Sequence, residues 1–143
     1  MTVKILKVTS ETQGGAIPDM HLKLYAGGYR VVPKVVLGSW WILYVDGSPA
    51  GFAGVRRSAS WEKTAYLCRV GVLEEHQGRG FQKKLIRVRE KWAREKGLAW
   101  VITDTWTDNP ASSNSLISCG YKLWIPSQKW AGYSPALYWR KKL

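Results

Sequence analysis

Alternating hydrophobic and polar residues divide much of the chain into short segments typical of β-strands. The clearest pair is residues 39–45 and 49–57, which flank Asp46-Gly47, a dipeptide that favours a tight hairpin turn. The same alternation, or a short apolar run, predicts further strands at residues 2–8, 65–72, 98–106, 121–125 and 135–142. The hairpin therefore predicts the beginning of an antiparallel meander.

Apolar residues at helical spacing follow the fourth predicted strand. Phe81, Leu85, Val88 and Trp92 lie at i, i+4, i+7 and i+11, which places them on one stripe of an α-helix. Gly97 closes this helix. The sequence thus predicts a strand, a glycine-containing turn and a helix in succession, an arrangement that binds ligands.

Two shorter helices are predicted from their end signals. Asn109-Pro110 is a helix cap followed by a first-turn proline, so a helix is expected over residues 110–118, with Gly120 at its C-terminal end. Nearer the N-terminus, Pro18 suits the first turn of a short helix between two glycine pairs. The order of elements becomes β, α, β, β, β, α, β, α, β, β, which indicates a mixed sheet with helices, in an α/β or α+β fold.

The strand at residues 98–106 fixes one further feature of the topology. Its nearly continuous apolar character predicts burial on both faces and a crossover back into the same sheet. The chain of 143 residues contains neither an internal repeat nor a linker, so we expect residues 1–143 to form a single domain.

The charge balance changes the picture, because 22 Lys and Arg residues oppose 10 Asp and Glu residues, for a net charge of +12. Such an excess predicts an anionic partner. Nine tryptophans suit either a pocket wall or a base-stacking surface. Composition leaves two classes open, an enzyme for an anionic ligand and a nucleic-acid-binding protein.

Several other classes are not expected. No run approaches the ~20 apolar residues of a membrane span, and the N-terminal residues do not resemble a signal peptide, so we expect a cytoplasmic protein without membrane association. Cys68 and Cys119 have no paired spacing, and with only His21 and His76 as histidines, neither a disulfide framework nor a metal site is expected.

The turn before the long helix carries the candidate chemistry. If the helix begins near residue 80, the backbone amides of residues 77–82 are unpaired donors at the positive end of a helix dipole. Gly78 and Gly80 allow close approach of an anion to the main chain. Basic side chains surround the turn: Arg79, Lys83 and Lys84. The alternative is a surface turn followed by a solvated basic helix face.

This turn resembles the main signature of the GNAT-type N-acetyltransferase superfamily, which binds acetyl-CoA. Val72 ends the strand, and Gln77-Gly78-Arg79-Gly80-Phe81-Gln82 fills the motif, departing from it at Gln82, where Gly or Ala is usual. A second motif of the family matches Asn109, Gly120 and Tyr121 at the same spacing. The resemblance covers roughly residues 40–143.

The resemblance implies a mixed, mostly antiparallel sheet of six to seven strands with three to four flanking helices. It implies acetyl-CoA as co-substrate, with no metal. The backbone of Val70, Gly71 and Val72 would hold the pantetheine arm and the acetyl carbonyl, and residues 77–82 would bind the diphosphate. Asn109 would contact the pantetheine arm, although as a residue before proline it is explained equally by helix capping.

The implied reaction transfers acetyl to a primary amine of a small molecule, peptide or protein, through a tetrahedral intermediate. Asp104, five residues before Asn109, matches a general-base position in some relatives; the alternative is a hydrogen-bonded structural carboxylate. Many relatives carry a tyrosine as the acid for the leaving thiolate where this chain has Leu116. Tyr133, a water molecule or unassisted departure of the thiolate would have to replace it.

Residues 79–96, which contain the predicted helix, include eight basic and two acidic residues. Its outer half is either a solvated face or a surface for nucleic acid, including tRNA, or an acidic protein. Together with Gln82 and Leu116, this charge supports a rival interpretation, a basic nucleic-acid- or protein-binding module on a degenerate acetyltransferase fold.

The remaining tryptophans and the last strand give weaker expectations. Trp92 and Trp100 are predicted to pack in the core. One or two of the others are expected to line an acceptor cleft: Trp40, Trp41, Trp61, Trp106, Trp124 and Trp130. The protein is expected to be a monomer or a homodimer, the latter through a C-terminal strand exposed at the sheet edge.

Overall fold

The computed structural model describes residues 1–9, 15–25 and 38–143. Seven strands occur in this part of the chain: β1 (Val3–Lys7), β2 (Ser39–Val45), β3 (Ser48–Arg57), β4 (Thr64–Val72), β5 (Trp100–Trp106), β6 (Lys122–Leu123) and β7 (Ala136–Lys142). Three α-helices accompany them: α1 (Ala16–Tyr25), α2 (Phe81–Glu95) and α3 (Pro110–Ser118). A single 3₁₀ turn, Glu74–His76, joins β4 to the approach of α2.

The seven strands form one sheet in the order β1-β2-β3-β4-β5-β7-β6. β4 and β5 are parallel, and the other neighbouring strands pair antiparallel. The predicted mixed α/β class, the mostly antiparallel sheet and the crossover into β5 are therefore confirmed.

Most strand ends lie within one or two residues of the predicted ones, and two other differences have a local cause. α1 begins at Ala16 rather than at Pro18, which occupies the first turn, where its missing N–H has no helical acceptor. The strand predicted at 121–125 is reduced to Lys122–Leu123; the Tyr121 amide donates to the Leu116 carbonyl in α3 at 3.0 Å, and its side chain is only 3% exposed. Gly14, Gly27 and Gly28, from the glycine pairs used in predicting α1, lie outside the described residues.

Apolar side chains cover both faces of the sheet. α2 and α3 close one face over a cluster that includes Trp41, Val101 and Trp139, whereas α1 closes the other over Trp40 and Phe52. Trp40 and Trp41 are 4% and 6% exposed, so they pack in the core and are not among the one or two tryptophans expected to line the acceptor cleft. The alternation along β2 sends these neighbouring rings into opposite core layers.

A buried carboxylate connects α2 with β7. Glu90 Oε2 accepts hydrogen bonds from the Tyr121 hydroxyl and the Lys141 ammonium, both at 2.9 Å. β7 itself lies between β5 and β6, and β6 pairs with Trp139 and Arg140. At those residues the expected free edge for dimer pairing is thus absent.

No helix within the described ranges is both long and apolar enough to cross a membrane.

Candidate active site

β4 and β5 run side by side for a short distance and then separate. Only residues 64–66 of β4 pair with residues 100–102 of β5, although both strands continue further. At the point of separation the Thr103 hydroxyl donates a hydrogen bond to the Leu67 carbonyl at 3.0 Å. The separated ends leave a cleft in the sheet.

A β-bulge in β4 lies beside this cleft. Ala53 pairs with Val70 and Val55 pairs with Leu67, so two residues of β4 oppose the single residue Gly54. The Trp40 ring packs so closely on Gly54 that a Cβ at this position would lie 2.7 Å from its carbons. Because a bulge bends its strand and increases the local twist, it helps to separate β4 from β5.

One of the two bulged residues, Arg69, joins β4 to α1. Its Nη1 donates a hydrogen bond to His21 Nε2 at 2.6 Å. Burial, and then the charge of Arg69, lower the pKa of His21 below its ordinary value, which keeps the imidazole neutral and able to accept. The sequence did not predict this contact, because no spacing relates a residue of α1 to one of β4.

The glycine turn after β4 presents backbone donors at the start of α2. Gly78 and Gly80 have φ of 77° and 78°, and a Cβ at either position would meet no atom within 4 Å. The side chain of Gln77 donates to the Val72 carbonyl at 2.9 Å and so ties the turn to the strand end. Among the described residues, none accepts a hydrogen bond from the amides of residues 78–83. Unpaired amides were predicted for residues 77–82. This prediction was wrong for Gln77, whose amide donates to the Glu74 carbonyl.

Two adjoining cavities occupy the cleft, with volumes of about 470 and 490 Å³. The first lies between β4 and β5 and contains Asp104 and Tyr133 in its wall. The second lies over the glycine turn, and its lining includes Gly71, Val72, Gln77, Gly78, Gly80 and Phe81. Both cavities are lined by Val70, Gln82, Asn109 and Ser112. Of the twelve predicted site residues, Arg79 alone lines neither cavity; it is exposed, with Nη1 3.5 Å from Met1 Sδ.

Asp104 accepts hydrogen bonds from three aromatic side chains. The Tyr66 hydroxyl and Trp130 Nε1 donate to its Oδ1 at 2.8 and 2.7 Å, and the Tyr133 hydroxyl donates to Oδ2 at 2.7 Å. The Tyr133 ring stacks on Trp106 with 4.1 Å between ring centroids. Burial, and then the Asp104 charge, raise the pKa of Tyr66 far above its ordinary value, so its hydroxyl keeps the proton that it donates.

This cluster brings together two predicted residues and two that the prediction did not connect with them. Trp130, like Trp106, lines the first cavity, as expected for one or two of the loop tryptophans. Tyr66 gave no signal beyond its place in the strand. Its alternation with the buried Ala65 and Leu67 puts it on the same sheet face as Asp104.

Gln82 and Asn109 meet at the start of α3. Gln82 Nε2 donates to the Ser112 hydroxyl at 2.9 Å, a bond that spans the boundary between the two cavities. Asn109 Oδ1 accepts from the Ser112 amide at 3.2 Å and so caps α3. Asn109 is therefore a helix cap that also lines the cleft, and neither of its two predicted roles excludes the other.

Leu116 lines the first cavity and is 4% exposed. An apolar side chain therefore forms the part of the wall where many members of the family that the chain resembles have a tyrosine. Leucine has no group that can donate a proton to the thiolate. The hydroxyl of Tyr133 is directed instead at Asp104.

The predicted basic surface of α2 needs one correction. Arg89 and Glu90 are 1% and 2% exposed, and therefore belong to the interior. Because their charges are opposite, the net positive charge of the outer helix face is the same whether or not these two residues are counted. That face carries exposed cations: Lys84, Arg87, Lys91 and Arg94.

Within the described part of the chain, no three His, Cys, Asp or Glu side chains are grouped in a way that could hold a metal ion.

Comparison with known proteins adds a family and a fold. Residues 27–121 match the acetyltransferase (GNAT) family. Streptothricin acetyltransferase from Escherichia coli is 28% identical over 69 residues, which amount to 48% of this chain and 40% of that protein. The matched segment thus spans less than half of the relative's length.

Two solved structures share the fold over nearly the whole chain. The IAA acetyltransferase of Bacillus cereus superposes with a TM-score of 0.78 at 19% identity, covering 99% of this chain and 100% of the other. The yncA protein of Salmonella typhimurium, solved with its cofactor acetyl-CoA, has a TM-score of 0.78 at 16% identity and covers 98% and 93% of the two chains.

Proposed function

This chain belongs to the GNAT family of acetyl-CoA-dependent acetyltransferases, and we propose that it moves the acetyl group directly to a primary amine within one domain formed by residues 1–143. The observation that carries the proposal is the cleft between β4 and β5, which joins a turn of unpaired amides to the half-buried carboxylate of Asp104. A diphosphate suits the amides of residues 78–83, and a cationic or neutral amine suits Asp104.

The proposed reaction uses the two cavities in sequence. Acetyl-CoA lies along the second cavity, with its diphosphate at the glycine turn, its pantetheine arm beside Val70 to Val72 and Asn109, and its thioester in the first cavity. The acceptor amine approaches Asp104, which takes the proton that the nitrogen loses. The nitrogen forms a bond to the acetyl carbon, and the backbone amide of Val72 or a neighbour stabilises the oxyanion.

Tyr133 enters this proposal as the proton donor to the leaving thiolate. In the structure its hydroxyl donates to Asp104 Oδ2, so it must leave that bond to reach sulfur. Protonation of Asp104 by the amine removes one acceptor for the Tyr133 hydroxyl. Proton return through Tyr133 is therefore expected only after the amine has lost its proton.

Acetyl-CoA binding tests the proposal. Isothermal titration of the wild-type protein should show micromolar affinity, and Gly80→Glu should weaken it roughly fivefold or more, because like charges about 4 Å apart repel by about 1 kcal/mol even in water. Gly97→Glu is the matched control: Gly97 also has a positive φ, 71°, and open space around it, but it follows the opposite end of α2. Equal loss in both variants would contradict a diphosphate site at the turn.

The bond between Gln82 and Ser112 gives a second prediction. Acetyl-CoA must pass the boundary that this bond spans, so the bond has to break when acetyl-CoA binds to the wild-type protein. Breaking it costs about 1 kcal/mol of binding free energy. Gln82→Ala is expected to tighten acetyl-CoA binding by roughly fivefold, measured by the same titration. Ser112→Ala removes the bond without enlarging the space at residue 82 and should give a similar gain. Weaker binding in both variants would mean that the amide itself holds the co-substrate.

A nucleic-acid partner is a separate proposal and rests on the exposed cations of α2. At a rise of ~1.5 Å per residue, Lys91 and Arg94 lie too far from the turn to contact the same phosphates. If they bind nucleic acid, affinity should fall steeply as salt rises.

A further inference from the structure

Arg89 is a buried cation without a carboxylate partner. It is 1% exposed, and its Nε and Nη1 donate to the carbonyls of Leu85 and Gly54 at 3.0 and 3.2 Å. The ion pairs of the described residues are Lys91 with Glu95 and Lys141 with Glu90, so neighbouring Glu90 is already engaged. The other N–H groups of the guanidinium have no acceptor in the described part of the chain.

The charge of Arg89 persists despite its burial. Burial lowers the pKa of Arg89 to about 10, which still leaves the guanidinium cationic at neutral pH. The charge of Glu90 attracts Arg89 without forming an ion pair with it, so the buried cation is compensated only in part, which is unfavourable. A cation kept in this position is therefore expected to meet an anion that is absent from the protein itself.

The position of Arg89 indicates where that anion arises. Gln82, Ile86 and Arg89 lie at i, i+4 and i+7 on α2, and all three line the first cavity. Leu116 lines the same cavity and supplies neither a proton nor a charge. In the proposed function, the thioester of acetyl-CoA occupies this space.

We propose that Arg89 is a catalytic residue that stabilises the thiolate of CoA as it leaves the acetyl group. When the amine nitrogen has bonded to the acetyl carbon, the carbon–sulfur bond breaks and its electron pair stays on sulfur, while Asp104 takes the amine proton. The guanidinium balances the new negative charge until the sulfur is protonated. This inference rests on the proposed function. It assigns to Arg89 the stabilisation of the thiolate, which the apolar side chain of Leu116 cannot provide.

The decisive measurement is the titration of the CoA thiol in its complex with the protein, followed by the ultraviolet absorbance of the thiolate. An opposite charge within about 4–6 Å lowers a pKa by roughly 1–3 units, so the bound thiol should titrate at least about one unit below free CoA. Arg89→Met should abolish this shift and lower kcat about tenfold for each unit lost. Arg89→Lys, which retains the charge, should keep part of the shift.

Two controls make the outcome specific. Arg87→Met removes an exposed cation from the same helix and should leave the thiol titration unchanged. If Arg89→Met fails to fold, the wild-type and Arg89→Lys titrations still decide. A bound thiol that titrates as in free CoA, or a shift that survives in Arg89→Met, overturns the role of Arg89 while leaving acetyl transfer intact. Failure of wild-type protein to bind CoA overturns the proposed function and this inference together.

Discussion

Replacing Asp104 with asparagine is expected to lower kcat by roughly 10²–10⁴-fold, the usual loss when a general base is removed. Asparagine keeps the size of the side chain and an oxygen that can accept from Tyr66 and Trp130. Its NH₂ group cannot accept from Tyr133 or take a proton from the amine. The measurement is the steady-state rate of CoA release with saturating acetyl-CoA and an amine acceptor.

Tyr66→Phe is the matched control for Asp104→Asn. It removes one hydrogen bond to the carboxylate but leaves the carboxylate itself, so its effect on kcat should remain small beside that of Asp104→Asn. Circular dichroism and the acetyl-CoA affinity of both variants show whether the fold and the cleft survive. Near-normal turnover by folded Asp104→Asn would identify Asp104 as a structural carboxylate that only holds the aromatic cluster.

The arrangement of strands was predictable because each strand carries its own signal. Asp46-Gly47 specified the β2–β3 hairpin, and the continuous apolar run of β5 specified the parallel crossover. The short β6 was not predictable in this way. Tyr121 belongs to the alternating segment, yet its ring enters the core and its hydroxyl donates to Glu90, a partner 31 residues away in sequence.

The candidate site was predictable where one segment supplies the geometry. The glycine turn and the cap of α3 follow from local residue types, and both are present in the structure. The aromatic donors to Asp104 come from two separate segments, β4 and the loop before β7, so no spacing in the sequence relates both of them to Asp104. Arg89 did leave a signal, since it lies four residues after Leu85 on the apolar stripe of α2, where an ionised side chain is unexpected.

Lys141→Met is expected to lower the free energy of unfolding by about 3 kcal/mol, because removing one partner of a buried ion pair leaves the other charge buried and unpaired. Glu90 is 2% exposed in its side chain and would be left with the Tyr121 hydroxyl alone. The expected loss is at the lower end of the range for such pairs, since Lys141 is 20% exposed and solvent already screens part of the attraction. The measurement is urea denaturation, with the midpoint and slope compared between the variant and the wild type.

Two further variants show whether the stranded charge causes the loss. Lys142→Met removes the neighbouring, exposed lysine and should change stability by no more than about 0.5 kcal/mol. Adding Glu90→Gln to Lys141→Met removes the stranded carboxylate while keeping an oxygen for Tyr121, so the double variant should recover part of the stability. If Lys141→Met were no less stable than Lys142→Met, Glu90 would have to be hydrated in the folded protein.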